Sequence, residues 1–142
     1  MILYCDTSAL MKLFVSEQHS QAMQTLAAES TRLLVSLLTW PEMCAALALK
    51  QRTHQVDAPV AATALRRLRS EWPRYTKMAV NEDLVTEAGK LALRFGLRAY
   101  DSMQLASAQR AHRQLGHNLT FCCFDKQLNA AAATLKINIF AY

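Results

Sequence analysis

The stretch that decides the fold is Ile2-Leu3-Tyr4-Cys5-Asp6-Thr7-Ser8-Ala9-Leu10, at the start of the chain. Its first four residues are apolar and predict a short buried strand, and the apolar spacing that begins at Ala9 predicts a helix. Asp6 lies between the two, with Thr7 and Ser8 directly after it. A strand, an acidic turn and a helix in this order are typical of α/β proteins, in which ligands bind at the carboxyl ends of parallel strands.

The rest of the chain repeats this alternation of strand and helix. Apolar runs predict strands at 2–5, 32–36, 77–80, 119–124 and 137–140. Helical spacing predicts helices at 9–14, 21–26, 39–50, 60–69, 84–95, 100–115 and 127–135. Because nearly all the strand residues are apolar, both faces of the sheet should be covered. The prediction is an α/β fold with a central, mainly parallel sheet of four to five strands.

Composition indicates one globular domain spanning residues 1–142. Apolar residues make up 52% of the 142-residue chain, which has three Gly and three Pro, so long disordered tracts are not expected. No apolar run is long enough for a membrane span, and the first residues lack the pattern of a signal peptide. We therefore expect a cytoplasmic protein with no membrane association. The four cysteines form no C-x-x-C pair and are expected to be buried thiols.

Four acids, Asp6, Glu42, Asp101 and Asp125, stand where a predicted strand ends or a predicted helix begins. Asp101 shares a helix face with apolar residues, and so does Glu42, which indicates that both point inwards. The alternative for each acid is a helix cap, and for Glu42 alone the capping box Thr39-Trp40-Pro41-Glu42 favours that alternative. Taken together, the four acids predict one acidic pocket.

Several inward-facing carboxylates would repel one another unless a cation lies between them. Oxygen ligands without nearby His or Cys select Mg²⁺ or Mn²⁺ rather than Zn²⁺. We expect the ion to be held mainly by Asp6 and Asp101, with Asp125 and Glu42 binding a second ion or ordering water. Thr7 and Ser8 can hydrogen-bond a carboxylate, a water or a phosphate, or else cap the helix.

The charge distribution is compatible with a polyanionic partner. The formal net charge is +5, so a basic exterior would surround the acidic pocket. Arg98 precedes Asp101 by three residues and is a candidate substrate contact at the pocket. Lys12 is a second, weaker candidate substrate contact, and for it two alternatives stay open, because it could neutralise the acids or face the solvent.

Four segments together resemble the PIN-domain ribonucleases, and among them the VapC toxins. These segments are Asp6-Thr7-Ser8-Ala9-Leu10, Pro41-Glu42, Leu97-Arg98-Ala99-Tyr100-Asp101-Ser102-Met103-Gln104-Leu105-Ala106-Ser107-Ala108 and Phe124-Asp125-Lys126-Gln127-Leu128-Asn129. The resemblance implies a single PIN domain, folded as a three-layer α/β/α sandwich. It implies that Asp6, Glu42, Asp101 and Asp125 are the catalytic acids, supported by Ser8 and, as an accessory, Asn129. Cys123 departs from the pattern, because many relatives carry Ser or Thr there, so a supporting hydroxyl is expected to be missing.

The same resemblance implies an Mg²⁺- or Mn²⁺-dependent endoribonuclease toxin. Its substrate would be a structured RNA, such as transfer or ribosomal RNA, cut to leave a 5′-phosphate and a 3′-hydroxyl. Its partners would be a second copy of the chain, in a homodimer, and a small antitoxin protein that inhibits it.

Two other functions compete with this one. One is a catalytically silent module of the same fold that binds RNA or a protein partner through its basic surface. The other is an aspartyl-phosphate phosphatase with Asp6 as the nucleophile. A phosphatase of that kind needs a second Asp two residues later, and Ser8 occupies that position.

Overall fold

One five-stranded parallel sheet forms the centre of the protein, in a computed structural model that describes residues 1–142. The sheet has the order β3-β2-β1-β4-β5, and every neighbouring pair is parallel. Its strands are β1 (Ile2–Cys5), β2 (Arg32–Ser36), β3 (Thr76–Met78), β4 (Leu119–Cys122) and β5 (Asn138–Ile139). The parallel sheet expected from the sequence is therefore confirmed, and it has five strands rather than four.

Seven α-helices connect and cover these strands. They are α1 (Thr7–Phe14), α2 (Ser20–Glu29), α3 (Thr39–Arg52), α4 (Ala58–Glu71), α5 (Glu82–Phe95), α6 (Ala99–Leu115) and α7 (Lys126–Thr134). Helix α5 ends at Gly96, whose φ of +65° is a conformation that glycine adopts without a steric penalty. None of the helices has both the length and the apolar character needed to cross a membrane.

Alternating side chains of the strands divide the core between the two faces of the sheet. Tyr4 packs in a cluster with residues of α5, α6 and α7, whereas Leu3 and Cys5 pack in a second cluster with residues of α1, α3 and α4. Cys122 and Cys123 likewise belong to opposite clusters. The helices thus form a layer on each side of the sheet, and the predicted three-layer α/β/α sandwich is confirmed.

The predicted bounds of β1 and β2 are confirmed, whereas the predicted β3, β4 and β5 run past the observed carboxyl ends of these strands. Strand β4 was expected to reach Phe124 but ends at Cys122. The Phe124 backbone N–H donates to Ser8 Oγ at 2.9 Å, and the Asp125 N–H donates to Cys123 Sγ at 3.3 Å, so neither continues the ladder. A side chain that accepts a backbone N–H removes that donor from the sheet and so ends the strand. Strand propensity does not predict such an end.

Strand order places the start of two helices at one point on the sheet edge. From β1 the chain adds β2 and β3 on one side, then crosses to add β4 and β5 on the other. The reversal falls between β1 and β4, and crevices at such switch points are where open α/β sheets bind ligands. Asp6 directly follows β1, and Asp125 lies three residues after β4.

Candidate active site

A pocket of about 460 Å³ lies at this switch point. All four acids that the sequence singled out line it, and Glu17 is a fifth acidic residue in its wall. The other candidate residues in its lining are Thr7, Ser8, Lys12 and Arg98. Residues that follow β1 and β4 therefore meet residues of α1, α3 and α6 in one place, although they are far apart in the sequence.

Asp6 is both the N-cap of α1 and a wall of the pocket. Its Oδ1 accepts hydrogen bonds from the Ala9 backbone N–H at 2.9 Å and from Ser8 Oγ at 2.7 Å. Since Ser8 Oγ also accepts the Phe124 N–H, one hydroxyl connects the end of β1 to the end of β4. The sequence left helix capping and lining of the pocket as alternatives for Asp6. In the structure Asp6 does both, because the helix cap uses only one of its two carboxylate oxygens.

Asp125 is held in the same way at the start of α7. Its Oδ1 accepts the Leu128 backbone N–H at 2.8 Å. Cys123 takes part in this turn through its thiol, which accepts the Asp125 N–H. Asn129 does not line the pocket. Its Nδ2 instead donates to the Cys123 carbonyl at 2.8 Å, so Asn129 holds the turn that carries Asp125.

The capping box proposed for Glu42 is wrong. The N-cap of α3 is Leu38, and it makes no side-chain cap. The Glu42 carboxylate turns instead towards α6, where its Oε1 accepts a hydrogen bond of 2.7 Å from Gln104 Nε2. A packed helix next to α3 offers Glu42 a donor that a local sequence pattern does not reveal.

Gln104 belongs to a buried polar network that the sequence analysis missed. Its Oε1 accepts from the Tyr4 hydroxyl at 2.8 Å, and its Nε2 also donates to Thr39 Oγ1 at 3.0 Å. Gln104 is only 2% exposed. A signal existed in the sequence, because a glutamine inside the apolar face of α6, one turn after Asp101, needs buried partners.

Arg98 lies beside the pocket, as predicted. Its Nε donates to Asp101 Oδ2 at 2.9 Å, but 84% of its side chain is exposed. Exposed ion pairs contribute only about 0–1 kcal/mol. The ion pair between Arg98 and Asp101 is therefore weak, and a cation bound in the pocket can displace Arg98 from the Asp101 carboxylate.

Lys12 follows neither of the two alternatives left open for it. It is buried, and its Nζ contacts Glu17 Oε1 at 3.1 Å rather than one of the four acids or the solvent. Lys50 Nζ contacts the other oxygen, Glu17 Oε2, at 2.9 Å. Glu17 and Lys50 were not identified from the sequence, because nothing local to either position indicates that they meet.

Burial and repulsion by neighbouring carboxylates oppose ionisation of Asp6 and Glu42. Burial is the main cause that raises the pKa of Asp6; the charge of Asp101 adds to it, and hydrogen bonds from Cys123, Ser8 and Ala9 oppose it. The pKa of Glu42 is also raised, first by burial and then by the charges of Asp6 and Asp101, against hydrogen bonds from Gln104 and Thr7. A cation in the pocket would relieve both effects.

The oxygen donors suit a hydrated divalent ion. No three of the chain's His, Cys, Asp and Glu side chains are arranged as a ready-made set of metal ligands. Mg²⁺ usually keeps several waters and takes only one or two carboxylates directly, so a looser group of carboxylates is sufficient for it. Asp6 and Asp101, which repel each other across the pocket, fit this requirement.

Comparison with known proteins gives consistent similarities. A protein-family model described as PIN domain matches residues 3–133. The chain is 33% identical over 107 residues to ribonuclease VapC45 of Mycobacterium tuberculosis (strain CDC 1551 / Oshkosh), covering 75% of this chain and 74% of that relative. It is 31% identical over 139 residues to ribonuclease VapC46 of Mycobacterium tuberculosis (strain H37Rv), covering 98% of this chain and 96% of the relative.

Solved structures share the fold. FitAcB from Neisseria gonorrhoeae superposes with a TM-score of 0.69 at 19% identity, covering 99% of this chain and 97% of the other. Mycobacterium tuberculosis VapC20, described as a sarcin-ricin loop cleaving toxin, superposes with a TM-score of 0.66 at 18% identity, covering 91% and 94%. At these identities the likeness concerns the fold alone.

Proposed function

This chain belongs to the PIN domain family, and from that premise we propose that it is a VapC-type endoribonuclease that hydrolyses RNA with Mg²⁺ or Mn²⁺. The observation that carries the proposal is the single pocket at the switch point, lined by Asp6, Glu42, Asp101 and Asp125. The names of the curated relatives, which are ribonucleases, support the same reaction class.

Asp6 and Asp101 would hold the divalent ion directly in this mechanism, and Asp125 would bind a second ion or order water around the first. When bound, the ion supplies positive charge that activates a water molecule and offsets the charge that grows on the phosphate during in-line displacement. The chain's own part is to fix the carboxylates. Ser8 and the first turn of α1 hold Asp6, and the first turn of α7 holds Asp125.

Glu42 would orient the attacking water or accept its proton. Gln104 fixes the Glu42 carboxylate through the hydrogen bond of 2.7 Å, and Tyr4 and Thr39 fix Gln104 in turn. Burial raises the pKa of the Tyr4 hydroxyl, so Tyr4 stays a hydrogen-bond donor at neutral pH. Rigid support of this kind keeps a reacting group in its productive geometry.

The finer features of the reaction are part of the same proposal. The substrate is a structured RNA, transfer or ribosomal RNA, and the products carry a 5′-phosphate and a 3′-hydroxyl. An antitoxin protein inhibits the enzyme by placing a basic side chain among the carboxylates, since such a group complements the repulsion between them. The active form is a homodimer, which light scattering of the purified protein would test.

Expression in bacteria tests the proposed reaction directly. Wild type and Asp6→Asn are expressed in parallel, and new RNA 5′ ends are mapped. Growth arrest with recurrent cuts in the wild type alone supports the proposal. If neither protein produces cuts and purified wild type still binds RNA, the silent binding module replaces it. A phosphorylated Asp6 in the absence of RNA cleavage would instead indicate the phosphatase.

A further inference from the structure

We propose that Lys12 and Lys50, bridged by Glu17, form a seat for a backbone phosphate of the RNA next to the one that is cut. This inference rests on the proposed function and adds a substrate-positioning site to it. The three residues line the same pocket as the four acids. Their role does not follow from the acidic quartet.

Glu17 brings two ammonium groups side by side. Lys12 Nζ contacts one carboxylate oxygen at 3.1 Å and Lys50 Nζ contacts the other at 2.9 Å. Both oxygens of Glu17 are therefore used, each by a different lysine. Burial would raise the pKa of Glu17, but hydrogen bonds from Lys50 and Lys12 and their charges lower it below its ordinary value, so the bridge is ionised at neutral pH.

The bridge leaves one positive charge without a partner. Two ammonium groups share one carboxylate, and their side chains are only 11% and 19% exposed. A cation with so little contact with water gains from an additional anion. The neighbouring acids do not supply it, because neither lysine forms an ion pair with Asp6, Glu42, Asp101 or Asp125.

The pocket gives an anion access to these lysines. Lys12 Nζ also lies 4.5 Å from the centre of the Phe124 ring, and Phe124 lines the pocket next to Asp125. The Phe124 contact and the Glu17 bridge hold Lys12 from two sides, so little side-chain freedom remains to be lost when a ligand binds. In a pocket that cleaves RNA, the available anion is a phosphate of the same strand.

Glu17 is the positioning residue of this seat. Without it, the two ammonium groups would repel each other, and the carboxylates of the reaction centre would attract them. The bridge therefore keeps the two ammonium groups away from the four acids. The ammonium groups stay available to a substrate phosphate, and the acids stay available to a divalent ion.

Substitution of Lys50 tests the seat with the least risk to folding, because Lys50 is the more exposed of the two and lies near the end of α3. The variants are Lys50→Met, the rescue variant Lys50→Arg, and the control Lys90→Met, which removes an exposed lysine of α5 outside the pocket. If Lys50→Met does not fold, as judged by thermal unfolding, Lys50→Gln replaces it.

Two measurements are made on each variant. The first is the affinity for a short single-stranded RNA in EDTA, over a series of KCl concentrations. We expect Lys50→Met to weaken this binding about tenfold and to lower the slope of log affinity against log salt by about 0.7, as the loss of one phosphate contact would. The second is cleavage with Mg²⁺, where KM should rise about tenfold with kcat within about twofold of wild type. Lys50→Arg should restore both values.

The outcomes separate this inference from the proposed function. If wild type cleaves RNA and Lys50→Met matches Lys90→Met in both measurements, the seat is wrong and the nuclease stands. If wild type binds RNA with the Lys50-dependent salt slope but does not cleave it, the seat stands and the nuclease fails.

Discussion

Replacing Gln104 with leucine should both destabilise the protein and change its activity. The substitution removes the bonds that Gln104 makes with Tyr4, Thr39 and Glu42. The Tyr4 side chain is fully buried, and an orphaned buried hydroxyl costs about 1–3 kcal/mol. The lost hydrogen bond to the Glu42 carboxylate adds to this cost. We therefore expect the free energy of unfolding to fall by about 2–4 kcal/mol and Tm by roughly 5–15 °C.

The pH profile should distinguish an effect on Glu42 from simple destabilisation. Gln104 donates to the charged form of Glu42 and lowers its pKa. Losing that donor favours the protonated form, so the pKa of Glu42 rises further above its ordinary value of 4.5. In the proposed mechanism Glu42 acts in its ionised form, so the acid limb of kcat/KM for RNA cleavage should move to higher pH.

Urea unfolding and pH-rate profiles provide the measurements. The matched control is Gln114→Leu, on an exposed position of the same helix, which should change neither quantity. Adding Tyr4→Phe to Gln104→Leu removes the orphaned hydroxyl and should restore about 1 kcal/mol. The reasoning is refuted if Gln104→Leu behaves like Gln114→Leu, or if the double variant is no more stable than the single one.

Three further predictions concern the pocket. Arg98→Ala should raise the affinity for Mn²⁺, measured by calorimetry, because it frees Asp101, and should change the free energy of unfolding by less than about 1 kcal/mol; a weaker affinity would contradict this. Ser8→Ala should reduce stability by about 1–3 kcal/mol and raise the pKa of Asp6 further, which urea unfolding and carboxyl NMR titration would report, and an unchanged pKa would contradict it. The pKa of Glu17 lies below its ordinary value of 4.5, so its stabilising contribution is complete above pH 4.5 and is lost as the pH falls through the folded-state pKa. The difference in urea stability between wild type and Glu17→Gln should accordingly be largest near neutral pH and shrink in acid, and a constant difference would exclude this explanation.

The fold could be predicted from the sequence because its determinants are local. The apolar run of β1 and the helical spacing after Asp6 are visible within ten residues, and Gly96 and Gly116 end α5 and α6 where expected. Parallel pairing followed from strands that are apolar on both faces. The carboxyl end of β4 was less predictable, because Ser8, from the other end of the chain, accepts the Phe124 N–H.

The candidate site was predictable only in part. Asp6 and Asp125 were found because they follow strands, and strand ends meet at one edge of a parallel sheet. The polar contacts that support the acids join distant positions, since Gln104 is 62 residues from Glu42 and 100 from Tyr4. Glu17 and Lys50 are 33 residues apart. No local pattern encodes such contacts, because the packing of elements that are distant in the sequence decides them.

The most direct test of the acidic pocket is Mn²⁺ binding by titration calorimetry. Wild type is compared with Asp101→Asn and with the control Asp83→Asn, which changes an exposed acid in the first turn of α5. The account predicts that Asp101→Asn weakens binding at least about tenfold and that Asp83→Asn binds like wild type. Equal Mn²⁺ affinity in all three proteins would contradict it.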